Sequence, residues 1–312
     1  MPSSLSHLAQ QILPVLYQHR LVATSQLHRL LTPNARRPVY LRNQLSELRR
    51  LGLADATTRR ITTVGRPQLL WFCSSLGAEL VESAGEVTAR AYRISPEIAA
   101  SQLQEHTLAV VETGTAFVTW ARHFGDDCTP LDWEPELAHR IRDGDRLGED
   151  ALLIPDSVLR YTRTVDDGLD HRRELYTFFI EVDRGTMQMS RLARKLSAYA
   201  RYTQYVPQSG PGRARSAAPG REAWRVRYPA FPRLLIVLTL PPGRATQRRI
   251  DDLRALAAAD VHLPHARELT VGVTTLEQLR SSGPFTTIVT PVLGPSSSTD
   301  VLMTAPDRAE AA

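Results

Sequence analysis

Three carboxylates and one ammonium carry the chemistry this sequence offers. Asp156 follows Pro155 within an apolar run at 152–159, Glu181 and Asp183 close a second run at 176–183, and Lys195 lies on the helix expected next. Lys195 is also the single lysine among 38 basic residues. Arginine serves every other cationic position, whereas this one has a compact ammonium whose proton affinity responds to its surroundings. A composition biased against lysine also leaves a stray one as an ordinary structural partner, so position must decide between the two.

Alternation along a strand puts Glu181 and Asp183 on one face, opposite Ile180 and Val182. Pro155 places Asp156 near a strand end or a distortion, from which its carboxylate reaches the same pocket. Carboxylates gathered away from water are costly unless a cation neutralises them. A Mg2+ or Mn2+ ion held by Asp156, Glu181 and Asp183 would supply that charge and keep bound water. Two cysteines, Cys73 and Cys128, are too few for a cysteine zinc site. Asp156, Glu181, Asp183 and Lys195 therefore form the expected catalytic set. Lys195 would orient water or stabilise the transition state of phosphodiester hydrolysis, or else pair with Glu181 or Asp183 structurally.

These residues need a sheet and a helix to hold them. A helix from Met189 buries a stripe of Met189, Leu192, Leu196 and Tyr199, with Lys195 on its flank beside Arg191 and Tyr202. A strand at 234–240, a helix at 246–259 and a strand at 269–274 complete a mixed α/β arrangement, and 285–293 suits a late strand. Upstream, 102–124 supports a long helix that Gly114 weakens, and Trp133-Glu134 starts a strand.

The amino-terminal part reads differently. Helical spacing appears at 8–16, again from Thr24 or Ser25 through Leu31, and from Pro38 to about Arg50. The third helix turns Leu41, Leu45 and Leu48 inward. Asn43, Ser46, Glu47 and Arg50 face the other way, with Arg36, Arg37 and Arg42 at the start or flank. Such a helix suits a major groove, its polar side chains meeting base edges and its arginines meeting phosphates. A hairpin over 53–72 follows, its tip at Arg59 and Arg60 or at Gly65-Arg66-Pro67. Three helices and a hairpin predict a winged helix-turn-helix that binds double-stranded DNA through Arg36, Arg37, Arg42, Asn43, Ser46, Arg50, Arg59 and Arg60. The alternative is a small helical packing module with an arginine-rich surface. A further helix at 76–83 is either a packing helix or a dimer contact, which leaves a homodimer open.

Charge follows the same division. Residues 1–75 carry +8, residues 76–200 carry −8 and residues 201–312 carry +5. An arginine-rich head on an acidic middle suggests a polyanion-binding module joined to a domain that gathers carboxylates. The expected organisation is a winged helix-turn-helix at 1–85, a mixed-sheet domain at 86–295 with a basic loop at 207–227, and a flexible tail at 296–312. No run of apolar residues is long enough for a membrane span, and the first residues lack a secretory pattern. With only two cysteines, the expectation is a cytoplasmic protein.

The pattern Pro155-Asp156 followed by Glu181-Val182-Asp183 resembles the restriction-endonuclease-like, or PD-(D/E)XK, nuclease core. More closely, Glu181-Val182-Asp183-Arg184-Gly185-Thr186, then Arg194-Lys195-Leu196 and 199–202, resembles the actinobacterial plasmid replication-relaxation protein family over residues 5–240. That resemblance implies an α/β protein with a winged helix and a restriction-endonuclease-like mixed-sheet domain, binding DNA in plasmid replication, relaxation or transfer. Asp183 stands where the nuclease core has lysine, and Lys195 would supply that cation from the helix. As an enzyme the chain would be a Mg-dependent endonuclease or nickase. As a non-enzyme it would be a transcriptional or replication regulator whose inactive nuclease-like domain serves dimerisation or docking.

Overall fold

A computed structural model describes residues 5–59, 68–85, 87, 89, 99, 104–143, 151–166, 171–208, 220–241, 243–294 and 297–303. Arg60, the predicted tip at 65–67, the heart of the basic loop at 209–219 and the tail beyond 303 lie outside the described residues. The chain forms two compact units, Met1–Pro135 and Glu136–Ala312. Its architecture is α/β, with helices first and a mixed sheet afterwards. No helix among the described residues is long and apolar enough to cross a membrane.

The first unit begins with α1 (His7–His19), whose N-cap Ser6 accepts from the Ala9 N–H. Then come β1 (Val22–Ala23), α2 (Thr24–Leu31) and α3 (Val39–Arg50). Antiparallel strands β2 (Ala54–Thr58) and β3 (Leu69–Cys73) form the arms of a hairpin, and β1 pairs with β3 on the other side. Helix α3 buries Leu41, Leu45 and Leu48, the stripe its sequence spacing predicts. Helix α4 (Ser75–Ser83) follows at once, and α5 (Gln104–Phe124) comes later in the unit.

Gly114 does not break α5. A Cβ there would sit 2.3 Å from the indole of Trp133, so glycine lets β4 (Trp133–Pro135) approach the helix closely. Gln18 of α1 donates to the Trp133 carbonyl at 2.6 Å, and the His19 ring stacks on the Trp133 indole at 4.2 Å. Glu112 of α5 is held by Arg29 and Gln26 of α2.

The second unit pairs β5 (His139–Arg140) with β6 (Leu152–Leu153), then enters the long antiparallel strands β7 (Ser157–Asp166) and β8 (His171–Asp183). The run at 152–159 is therefore not one strand, as the sequence suggests. Pro155 has no N–H to offer a ladder, and Ile154-Pro155-Asp156 steps out of the sheet before β7 begins. From Asp183 the chain enters α6 (Met189–Gln204) and returns as β9 (Arg233–Leu238), parallel to β8. A second crossover through α7 (Arg244–Ala259) leads to β10 (Val271–Thr275), parallel to β9. Parallel neighbours need such crossovers, and helices fit them best. After α8 (Leu276–Ser282), the expected strand at 285–293 contracts to β11 (Thr290–Pro291), antiparallel to β10, with a bridge from Val289 to Thr299. The unit's strands thus run β11-β10-β9-β8-β7.

One face of this sheet presents Phe179, Leu234, Ile236, Leu238, Val271 and Val273 to Leu192, Leu196 and Tyr199 of α6 and to Ile250 and Leu253 of α7. Burying side chains of this size contributes roughly 1.5–3 kcal/mol each before the entropy cost of ordering them. Phe179, Glu181 and Asp183 share that face by strand alternation, so two carboxylates point where the helices pack.

Candidate functional site

The acid cluster lies at the carboxyl end of β8, beneath α6 and α7. Glu181 and Asp183 are almost fully buried, with side chains 3% and 1% exposed. Each has a different cation. Lys195 on α6 donates to one Glu181 oxygen, and the Tyr199 hydroxyl, one helical turn further on, donates to the other at 2.7 Å. The same ammonium stands 3.6 Å from Asp156. Asp156 is locked from its other side, because one of its oxygens accepts the Val182 N–H at 2.7 Å. Leaving the strand thus lets Asp156 turn its carboxylate back across β8.

Asp183 belongs to a separate knot. Arg249 of α7 pairs with one of its oxygens and also donates to the Met187 carbonyl at 2.5 Å. The other Asp183 oxygen accepts the Gly185 N–H at 2.9 Å. Gly185 has a φ of +76°, and a Cβ would meet the Leu240 side chain at 2.7 Å, so the turn out of β8 requires glycine. Asp183 thereby pins the β8-to-α6 turn to α7.

Electrostatics separate the two. Burial, reinforced by Asp156 and opposed by Lys195 and Tyr199, pushes the Glu181 carboxyl up to about 7. Burial works against the charge on Lys195, but Glu181 and Asp156 more than offset it and raise its proton affinity. Burial first, then Glu181, holds the Tyr199 hydroxyl well above its ordinary range, so it remains a donor.

The structure brings Asp156, Glu181 and Lys195 together and assigns Asp183 to Arg249. Each oxygen of Glu181 is engaged, and both of Asp156 face protein donors or Lys195. A Mg2+ or Mn2+ ion would have to take the place of Lys195 between them. Among the described residues no group of three or more His, Cys, Asp or Glu side chains is arranged to hold a metal. Arg249 was missed by the sequence reading, although it sits three residues after Thr246 and four before Leu253, on the edge of the buried stripe of α7. Tyr202, expected on the flank, is buried beside Phe179 and Phe231.

In the first unit Arg36, Arg37, Arg42, Asn43, Ser46 and Arg50 are all exposed. Arg36, Arg37 and Arg42 make no ion pair among the described residues, while Arg50 forks onto Glu47 at 2.6 and 2.8 Å. Arg59 stands apart, since Glu105 accepts from its guanidinium at 2.6 and 2.8 Å. It ties the base of the hairpin to α5.

The model of the family described as Replication-relaxation matches residues 13–212. This span runs from the middle of α1 to beyond α6 and includes Asp156, Glu181, Asp183 and Lys195. No curated protein and no solved structure matches the chain.

Proposed function

The chain belongs to the replication-relaxation family, and we propose that it is a DNA-binding regulator of replication or relaxation whose mixed-sheet unit does not cut. In this reading the first unit is a winged helix-turn-helix. Helix α3 enters the major groove, and Arg36, Arg37 and Arg42 neutralise phosphates on either side. The second unit is a nuclease-like domain of the PD-(D/E)XK kind, retained for dimerisation or docking. One observation carries the non-catalytic reading: the charges of the acid cluster are answered inside the protein, by Lys195 and Tyr199 on Glu181 and by Arg249 on Asp183.

A second reading rests on the position of Lys195. It touches Glu181, faces Asp156 and keeps a quarter of its side chain exposed, which suits the lysine of a Mg- or Mn-dependent nickase. Asp156 and Glu181 would then hold the ion, and the ion would supply a polarised water.

A supercoiled-plasmid assay with Mg2+ or Mn2+ separates the readings, run beside Asp156→Ala, Glu181→Ala and Lys195→Ala. Intact plasmid together with salt-sensitive duplex binding supports the regulator. Nicking by the wild type that all three variants lose overturns it in favour of the nickase.

A further inference from the structure

The outward face of α3 is not uniformly polar. Val39 and Tyr40 open the helix with 56% and 57% of their surfaces exposed. Val39, Asn43, Ser46 and Arg50 follow one another at spacings of four, three and four. That places them on a single ridge directly opposite the buried Leu41, Leu45 and Leu48. Tyr40 lies to one side of this ridge and Arg42 to the other. The valine at the head of this row leaves more than half of its surface open to solvent. The row is not a hydrophobic docking face, because its second and third members are an amide and a hydroxyl.

We propose that Val39 is a specificity-determining residue that reads the 5-methyl group of a thymine in duplex DNA, with Asn43 one turn further reading an adjacent adenine. This rests on the DNA-binding reading of α3 and deepens it. The major groove displays the thymine methyl as its one apolar mark, and a short branched side chain makes van der Waals contact with it. Adenine offers an acceptor and a donor on one edge, which an asparagine amide meets with two hydrogen bonds. Arg36, Arg37 and Arg42, which have no acidic partner among the described residues, supply the charge complementarity that brings this apolar head against a polyanion rather than against a protein. Ser46 continues the row along the groove, and Arg50, tied to Glu47, closes it.

The test uses the full chain and a duplex selected from a random library, resynthesised with uracil in place of thymine one position at a time. Uracil keeps every hydrogen-bonding group and lacks only the methyl. At one position the exchange should weaken binding about fourfold, the worth of one buried methyl group. Val39→Ala, which keeps only one methyl carbon, should diminish that difference and leave the salt dependence of binding unchanged. Arg42→Ala should weaken thymine and uracil duplexes equally and flatten the salt dependence. Val39 is exposed, so its substitution leaves the fold intact. Equal binding of thymine and uracil duplexes at every position, or an undiminished difference in Val39→Ala, overturns the inference. If the library yields no preferred sequence but binding still falls steeply with salt, the inference fails while the backbone-binding reading survives. Absence of any duplex binding overturns both.

Discussion

The two units place charge in opposite settings. On α3 of the first unit and in the segment just before it, arginines stand in water, and Arg36, Arg37 and Arg42 have no acidic partner among the described residues. In the second unit, Glu181 and Asp183 lie under two helices, and each has a cation brought to it by a different helix. An exposed charge adds little to folding and remains available to a ligand. A buried one must be matched, and its partner then becomes part of the architecture. Substitutions of the buried charges should therefore act on stability, and substitutions on α3 should act on binding.

The largest effect should come from Arg249. Arg249→Ala leaves Asp183 buried without a cation and frees the Met187 carbonyl, so the chain should lose about 3–5 kcal/mol of unfolding free energy. Denaturant unfolding of the variant measures this. A loss below about 1 kcal/mol would break the contrast, because it would make the Asp183 knot equivalent to a surface pair.

His139 extends the contrast to a buried group without an opposite charge. Its ring lies among Phe179, Tyr202 and Tyr228, and its Nε2 is 2.6 Å from the Tyr228 hydroxyl. Burial, with a smaller push from Arg227, lowers its proton affinity from 6.5 to about 4. The unfolded chain therefore binds the proton first as pH falls. Stability carried by the neutral ring is complete above 6.5 and is lost between 6.5 and about 4, by up to about 3 kcal/mol. His139→Gln should remove that part of the acid sensitivity, seen as a flatter stability profile in urea titrations across this window. Identical profiles for the two proteins would mean that His139 takes up its proton as readily in the fold as in the unfolded chain.

Lys195 should rank below Arg249 although both answer a buried carboxylate. Burial already holds Glu181 near 7, so in Lys195→Met it can take up a proton instead of remaining an unpaired anion, and Tyr199 still donates to it. A loss of about 1.5–3 kcal/mol is expected, the cost of a hydrogen bond to a charged group. A loss as large as that of Arg249→Ala would show the two knots to be equally structural.

Regular spacing made part of this arrangement legible. The stripe Leu41, Leu45, Leu48 and the stripe Met189, Leu192, Leu196, Tyr199 repeat at helical intervals, and the structure buries all of them but Met189, which is half-buried. Glu181 and Asp183 share a face because strand alternation admits no other result. What the sequence hid depends on distant partners. Arg249 meets Asp183 across 66 residues, and no local pattern encodes that distance. Arg59 has the same composition as a wing-tip contact, yet Glu105 of α5 claims it. Pro155 marks Asp156 as lying near a strand end or a distortion, but the donor it finds, the Val182 N–H on β8, is 26 residues away and leaves no local sign in the sequence.

The smallest effect on folding should come from the region with the greatest effect on binding. Arg36→Ala, Arg37→Ala and Arg42→Ala combined should change stability by no more than about 0.5 kcal/mol per site, since each side chain is exposed and has no ion pair among the described residues. Duplex affinity should fall, and the slope of its logarithm against that of salt concentration should flatten by about 0.9 for each phosphate that an arginine no longer neutralises. If the triple variant instead unfolds easily while its salt slope stays unchanged, these arginines serve the fold, and α3 loses its distinction from the buried charges of the second unit.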